Sequence, residues 1–259
     1  MRVLLLTIAL AWAGFTGHIP AAIAQNMNTA SPVTIQPDTF VLMDSARSRA
    51  IPVAIFRPLS SAASPELVIL SHGYGANDPE SYLTYRSICN FLALQGYMVI
   101  SIQHELPTDA LLPMEGKPQI VRRPCWERGA DNIRFVIQYA RQHFTRECNT
   151  QLVTLIGHSN GGDMSALFAR KYPGMIYKLI TLDNRRMALP RTRHPRVYSL
   201  RSSDQPADEG VLPGVSKAWK LGMRIIKLPA TIHNDMDDGG TPAQRAEINR
   251  YILEFMNEK

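Results

Sequence analysis

Cysteine is scarce in this chain. Three residues, Cys89, Cys125 and Cys148, cannot form a disulfide framework, and an odd count leaves at least one thiol unpaired. Cys125 and Cys148 flank an expected helix of about 18 residues, which would hold them roughly 27 Å apart. A disulfide needs Cα atoms within about 7 Å. Cys89 falls in a different expected helix, so no disulfide is expected, and none of the three has metal-ligand spacing. The sequence also lacks a run of like charges, a low-complexity tract and an internal repeat, which excludes disordered, fibrous and solenoid classes. Its net charge of +6 comes from scattered Lys and Arg with no aromatic interleaving and no binding motif. That reads as a solvated basic surface rather than a nucleic-acid partner. Beyond the N-terminus no segment is apolar and long enough to cross a bilayer.

The first 24 residues have a composition of their own. Arg2 is followed by an apolar run from Val3 to Phe15, and Ala22-Ile23-Ala24 precedes the polar Gln25-Asn26-Met27-Asn28. This is the pattern of a secretory signal peptide cut after Ala24, with an uncleaved membrane anchor as the alternative. Export to the periplasm or the extracellular space is the expectation, with no stable membrane span after processing. Cleavage removes one charged residue, Arg2, and leaves +5. No cysteine follows the cut, which argues against lipid attachment. Residues 25–39 read as a loose N-terminal segment and 40–259 as a single domain, since no linker interrupts them.

What the chain does have is hydrophobic residue, 45% of the total, enough for a substantial core. "FVLMDSARSRAIPVAIFRP" reads as strand, turn, strand. "LVILSHG", "YMVISIQHE", "LVTLIGHS", "KLITLDN", "RVYSLRS" and "RIIKLPATIH" are then continuous apolar runs, the mark of strands buried on both faces. Between them lie helical patterns: Pro79 to Leu94, and Ile133, Val136, Ile137, Ala140 and Phe144 on one helical face. The last segment opens Thr241-Pro242-Ala243-Gln244, a capping-box signature. Alternating strands and helices predict an α/β protein with a mostly parallel, doubly wound sheet flanked by helices. The short stretch between "TLDN" and "RVYSL" leaves no room for a large lid domain. Leu106–Cys125, with four prolines, is the expected wall of a pocket.

"LIGHSNGGDM" carries Gly157, Ser159 and Gly161 as G-x-S-x-G between a buried strand and a helix-like segment. In that setting the serine sits on a sharp strand-to-helix turn, and glycines on either side remove side chains that would clash. Serine is a weak nucleophile without a base. Of seven histidines, His233 ends the final strand run just before the last helix, where a loop at the C-terminal edge of the sheet presents a base. The acid that orients it is drawn from Asp204, Asp208 and Asp183; Asp204, after "RVYSLRSS", is ranked first. For the oxyanion, Asn160 supplies one backbone N–H. Tyr74, in "HGYG", supplies the other through its backbone or contributes through its hydroxyl. "DMDDGG" fails as a calcium loop, because Gly239 and Ala246 occupy ligand positions. No metal and no cofactor are assigned.

"LVILSHGYG", "GHSNGG", a later acid and "IHNDM" occur in the order of the α/β-hydrolase superfamily, and the chain resembles it from about Phe40 to the C-terminus. "DSARSRAIPVAIFRP" and "RGADNIRFVI" are similar to the branch that holds dienelactone hydrolases and platelet-activating-factor-acetylhydrolase-type esterases. The dienelactone hydrolases use cysteine where Ser159 stands, so the resemblance implies a serine esterase acting on a small-molecule ester. A peptidase or amidase on the same residues, and a non-catalytic binding protein, are the alternatives. Arg185, Arg186, Arg191, Arg193 and Arg196 follow the "TLDN" strand on the side where the site is expected to open, and form either a loop that attracts anionic substrates or an exposed basic loop without function.

Overall fold

The structure is a computed structural model describing residues 33–59 and 64–258. The expected signal peptide, its cleavage site and residues 25–32 of the loose segment lie outside the described residues. Eight strands form one sheet: β1 (Asp38–Asp44), β2 (Arg49–Phe56), β3 (Glu66–Ser71), β4 (Met98–Ile102), β5 (Asn149–His158), β6 (Lys178–Leu182), β7 (Arg196–Arg201) and β8 (Arg224–Lys227). Their order is β1-β2-β4-β3-β5-β6-β7-β8. The β1–β2 and β2–β4 pairs are antiparallel, and every pair from β4 to β8 is parallel. The helices are α1 (Arg86–Leu94), α2 (Pro118–Val121), α3 (Arg123–His143), α4 (Ser159–Lys171), α5 (Val215–Lys220) and α6 (Pro242–Asn257). The mostly parallel, doubly wound architecture is the one expected, and no lid domain occurs among the described residues.

The continuous apolar strands are explained by two cores, one on each face of the sheet. Along β3, Leu67 and Ile69 join the layer under α3 and α4, with Trp126, Ile133, Val136 and Phe168. Val68 and Leu70 point the other way, to α1 and α6, with Leu92, Ile252 and Phe255. A period of two with both faces covered makes both sets of positions in the middle of the strand apolar. The α6 cap forms as its sequence predicts: Thr241 Oγ1 accepts from Gln244 N, and Gln244 Oε1 accepts from Thr241 N at 2.7 Å.

Two elements differ from expectation. The helical pattern from Pro79 resolves into a 3-10 turn at Ser81–Leu83 and α1. "RIIKLPATIH" is strand only as far as Lys227, after which a turn carries the chain to His233 in a short 3-10 segment. The functional consequence of the topology lies at β3, which pairs with β4 on one side and β5 on the other. Successive connections depart there in opposite directions, and the crevice beyond such carboxyl ends is where ligands of open α/β sheets bind.

Candidate active site

Ser159 stands at the junction of β5 and α4 with φ of 50°, a left-handed conformation that a non-glycine residue adopts only when its surroundings impose it. The motif glycines show why. A Cβ on Gly157 would lie 2.5 Å from the Gly161 carbonyl oxygen and 2.7 Å from Ser165 Oγ. One on Gly161 would collide with the carbonyls of Ser71 and His72, where β3 ends. Helix α4 therefore starts hard against the exit of β3, and an ideal Cβ at Gly73 would touch Ser159 Cβ at 3.5 Å.

His233 Nε2 lies 2.9 Å from Ser159 Oγ. On the other side of the ring, His233 Nδ1 donates to Asp183 Oδ2 at 2.5 Å. Asp183 also takes hydrogen bonds from Ser202 N at 3.0 Å and Ser202 Oγ at 2.8 Å, and forms an ion pair with Arg201 Nη2 at 2.9 Å. Burial pushes this carboxyl up, but the His233 bond, the Arg201 charge and the Ser202 bonds together hold it below its ordinary value. It is an ionised acceptor in a fully buried position.

The acid ranked first from sequence, Asp204, is not the one on the imidazole. Its Oδ1 accepts the backbone N–H of His233 at 2.8 Å, so it shapes the histidine loop and leaves the ring alone. Asp208 lies elsewhere, paired with Arg186 and with Gln119 Nε2. Asp183 reaches the ring because it follows β6 immediately, at φ of 54°. That turn aims its carboxyl at the chain that returns from β8. The strained backbone at both Ser159 and Asp183 is the signal in three dimensions. In sequence it shows only as a polar residue directly at a strand end.

The two expected oxyanion donors adjoin the serine. Asn160 is in the first turn of α4, where backbone N–H groups lack intrahelical partners. At the facing loop, the Gly73 N–H is taken by Tyr85 Oη at 3.0 Å, so the next N–H, that of Tyr74, is the one available. The Tyr74 hydroxyl accepts from Leu112 N at 3.2 Å, which ties it to the 106–117 loop and favours the backbone reading. The loop touches Tyr74 in this way, but none of its residues lines the cleft at Ser159, so the wall expected from Leu106–Cys125 is not found there.

Tyr85 Oη also lies 2.6 Å from His158 Nδ1. Having accepted from Gly73, it donates to the imidazole, which fixes the His158 proton on Nε2. Burial, and secondarily His233 nearby, push His158 down to about 3. A neutral ring thus packs 4.7 Å from the His233 ring. Together Gly73, Tyr74, Asp78, Tyr85, Ser159 and His233 line a cleft of about 290 Å³.

None of the arginines after β6 lines this cleft. Arg186 pairs with Asp208, Arg191 donates to the carbonyls of Leu189, Gly210 and Val211, and Arg196 pairs with Glu258. Cys89, Cys125 and Cys148 are free thiols, and none touches the cleft. Among the described residues no helix is long and apolar enough to cross a membrane.

No family model matches the sequence, and a search of curated proteins finds no match. Solved structures do match. Thermogutta terrifontis esterase 2 phosphorylated by paraoxon is 15% identical, with a TM-score of 0.62 over 87% of this chain and 95% of that one. The Est2 esterase of the same organism, butyrate bound, is 11% identical, with a TM-score of 0.59 over 84% and 94%. A Klebsiella pneumoniae protein assigned as a dienelactone hydrolase is 13% identical, with a TM-score of 0.60 over 86% and 99%. The chain has the α/β-hydrolase fold, in the form shared by these esterases and the dienelactone hydrolase-like structure.

Proposed function

We propose that this protein is a serine hydrolase that cleaves small carboxylic esters, with Ser159 as nucleophile, His233 as base and Asp183 as acid. The observation that carries the reading is the unbroken line from Ser159 Oγ to His233 Nε2, and from His233 Nδ1 to Asp183, on a strained strand-to-helix turn. His233 takes the Ser159 proton as Oγ attacks the acyl carbon. The Asn160 and Tyr74 N–H groups hold the developing oxyanion. His233⁺, stabilised by Asp183, protonates the departing alcohol, and water then repeats the cycle to release the acid. Every group in this scheme belongs to the chain.

A cleft of about 290 Å³ is at the lower end of ligand pockets and suits short acyl chains. The fold likeness to an esterase that binds butyrate and is phosphorylated by paraoxon supports the same substrate scale and the same inhibitor chemistry. The test is incubation with paraoxon, intact mass and peptide mapping, with p-nitrophenyl butyrate turnover followed in parallel. Stoichiometric phosphorylation at Ser159 with loss of turnover is expected. Ester turnover that survives in Ser159→Ala, or a label on another residue, overturns the mechanism. Peptide turnover exceeding ester turnover would move the substrate class to amides. Export is part of the proposal: secreted or periplasmic protein should have a mass beginning at Gln25, and full-length protein in the cytoplasm alone would refute it.

A further inference from the structure

We propose that the His104–Glu105 pair, just beyond β4, braces both arms of the oxyanion hole, with Glu105 acting as a positioning residue for Asn160. The inference rests on the ester-hydrolase reading of the same site and assigns a role to groups which that reading leaves unused.

One arm runs to the Tyr74 side. The His104 backbone N–H donates to His72 Nε2 at 3.0 Å. Because Nε2 accepts, the neutral ring carries its proton on Nδ1, which lies 2.5 Å from the Gly73 carbonyl. His72 is buried, and burial pushes it down to about 4, so this tautomer persists at neutral pH. The ring thus pins the peptide joining Gly73 to Tyr74, the one that carries the Tyr74 N–H.

The other arm runs to Asn160. Glu105 Oε1 accepts from Asn160 Nδ2 at 2.9 Å, and Asn160 Oδ1 accepts from the Trp126 indole N–H at 2.8 Å. An indole only donates, so Asn160 Oδ1 must face Trp126 and its Nδ2 must face Glu105 Oε1. Held from two sides, the Asn160 side chain fixes the backbone from which its N–H projects. All three side chains are buried, Glu105 at 3% and Trp126 at 0% exposure.

Stability alone does not account for a carboxyl here. Glu105 Oε2 makes no hydrogen bond and faces His72 Nε2 at 3.6 Å, whose lone pair is already engaged. Burial pushes the group up to about 7, against the pull of Arg128 and the Asn160 bond. Burying such a group costs free energy that an apolar side chain would not incur. What the carboxyl supplies is direction. Both arms converge on adjacent residues of one segment, so the two N–H groups keep a fixed spacing.

The test compares Glu105→Ala, Glu105→Gln, Asn160→Ala and the Glu105→Ala/Asn160→Ala double variant. Turnover of p-nitrophenyl butyrate is expressed per site that paraoxon titrates, so misfolded protein is not counted. Losing alignment of one oxyanion donor predicts a fall in kcat of about 10- to 100-fold in Glu105→Ala, with KM little changed. Glu105→Gln keeps an acceptor for Asn160 and should restore most of kcat. In the Asn160→Ala background, Glu105→Ala should add no further loss. If Glu105→Ala lowers Tm but keeps wild-type kcat per site, the residue is structural and the brace is refuted. A loss of equal size in the Asn160→Ala background refutes it too. If the wild-type protein is neither labelled at Ser159 nor active on esters, the hydrolase reading falls and takes the brace with it.

Discussion

Replacing Asp183 with Asn should abolish nearly all turnover while preserving side-chain volume. In the native site the carboxylate takes three hydrogen bonds, from His233 Nδ1, Ser202 N and Ser202 Oγ, and an ion pair from Arg201. An amide cannot serve all of them. With its NH₂ towards His233, Nδ1 becomes an acceptor and the ring proton moves to Nε2, where it blocks the serine proton. With its oxygen towards His233, the NH₂ opposes the Arg201 guanidinium. The wrong tautomer is worth up to about 10⁴ in kcat, or roughly 5.5 kcal/mol. Arg201 is only 6% exposed and loses its counter-charge, so the variant should also melt earlier, by up to about 3–5 kcal/mol of stability. Asp204→Asn is the control. Its amide oxygen still accepts the His233 N–H, and the charge lost from that bond is worth about 1 kcal/mol, or less than about tenfold in kcat. Steady-state ester kinetics on titrated sites, with thermal melts of each variant, make the comparison. Collapse of Asp204→Asn beside an active Asp183→Asn would refute the assignment drawn from the geometry.

Glu105 should give the protein an alkaline cost. Its folded value of about 7 lies above its ordinary 4.5, so the folded state holds the proton longer and stability falls as pH rises between those values, by on the order of 3 kcal/mol. Glu105→Gln should flatten that slope in urea melts at pH 4.5 and 7.5, and an unchanged slope would exclude the group. Gly161→Ala should yield little active protein, since the new Cβ meets the Ser71 and His72 carbonyls; near-native activity and Tm would contradict the close approach. Thr241→Ala should lower stability by about 1 kcal/mol through loss of the α6 cap, with kcat unchanged per titrated site.

Ser159 and His233 were legible because local chemistry marks them. Glycines flank the serine between a buried strand and a helix, and the histidine sits in the one loop between the last apolar run and a well-signed helix cap. The inner strands were legible because burial on both faces makes them predominantly apolar, whereas β8 at the edge is only partly buried. The acid was not legible. Asp183 and Asp204 both follow strands, and the choice depends on how β6 turns at its end and where the chain returns after Lys227. Linear spacing does not encode either. Glu105 was missed for a related reason. It adjoins an apolar run as an ordinary strand-end polar residue, and only the convergence of Asn160, Trp126 and His72 on it, from β3, α3 and α4, reveals a role. The arginines after β6 looked like one patch because they are close in sequence, yet the fold sends Arg186, Arg191 and Arg196 to separate partners.

With nucleophile and acid leaving β5 and β6, and His233 lying beyond the C-terminal end of β8, the segment that leads into the opposite, N-terminal end of β8 carries none of the proposed chemistry. From Pro213 to Met223 the chain forms α5 and its flanking turns, with Val215 88% and Trp219 80% exposed and open space around Gly214 and Gly222. This segment is therefore a permissive splice point. A foreign peptide inserted at the exposed turns there would join the sheet at the end of β8 opposite His233, so contacts added at that end should leave Ser159, Asp183 and His233 where they are.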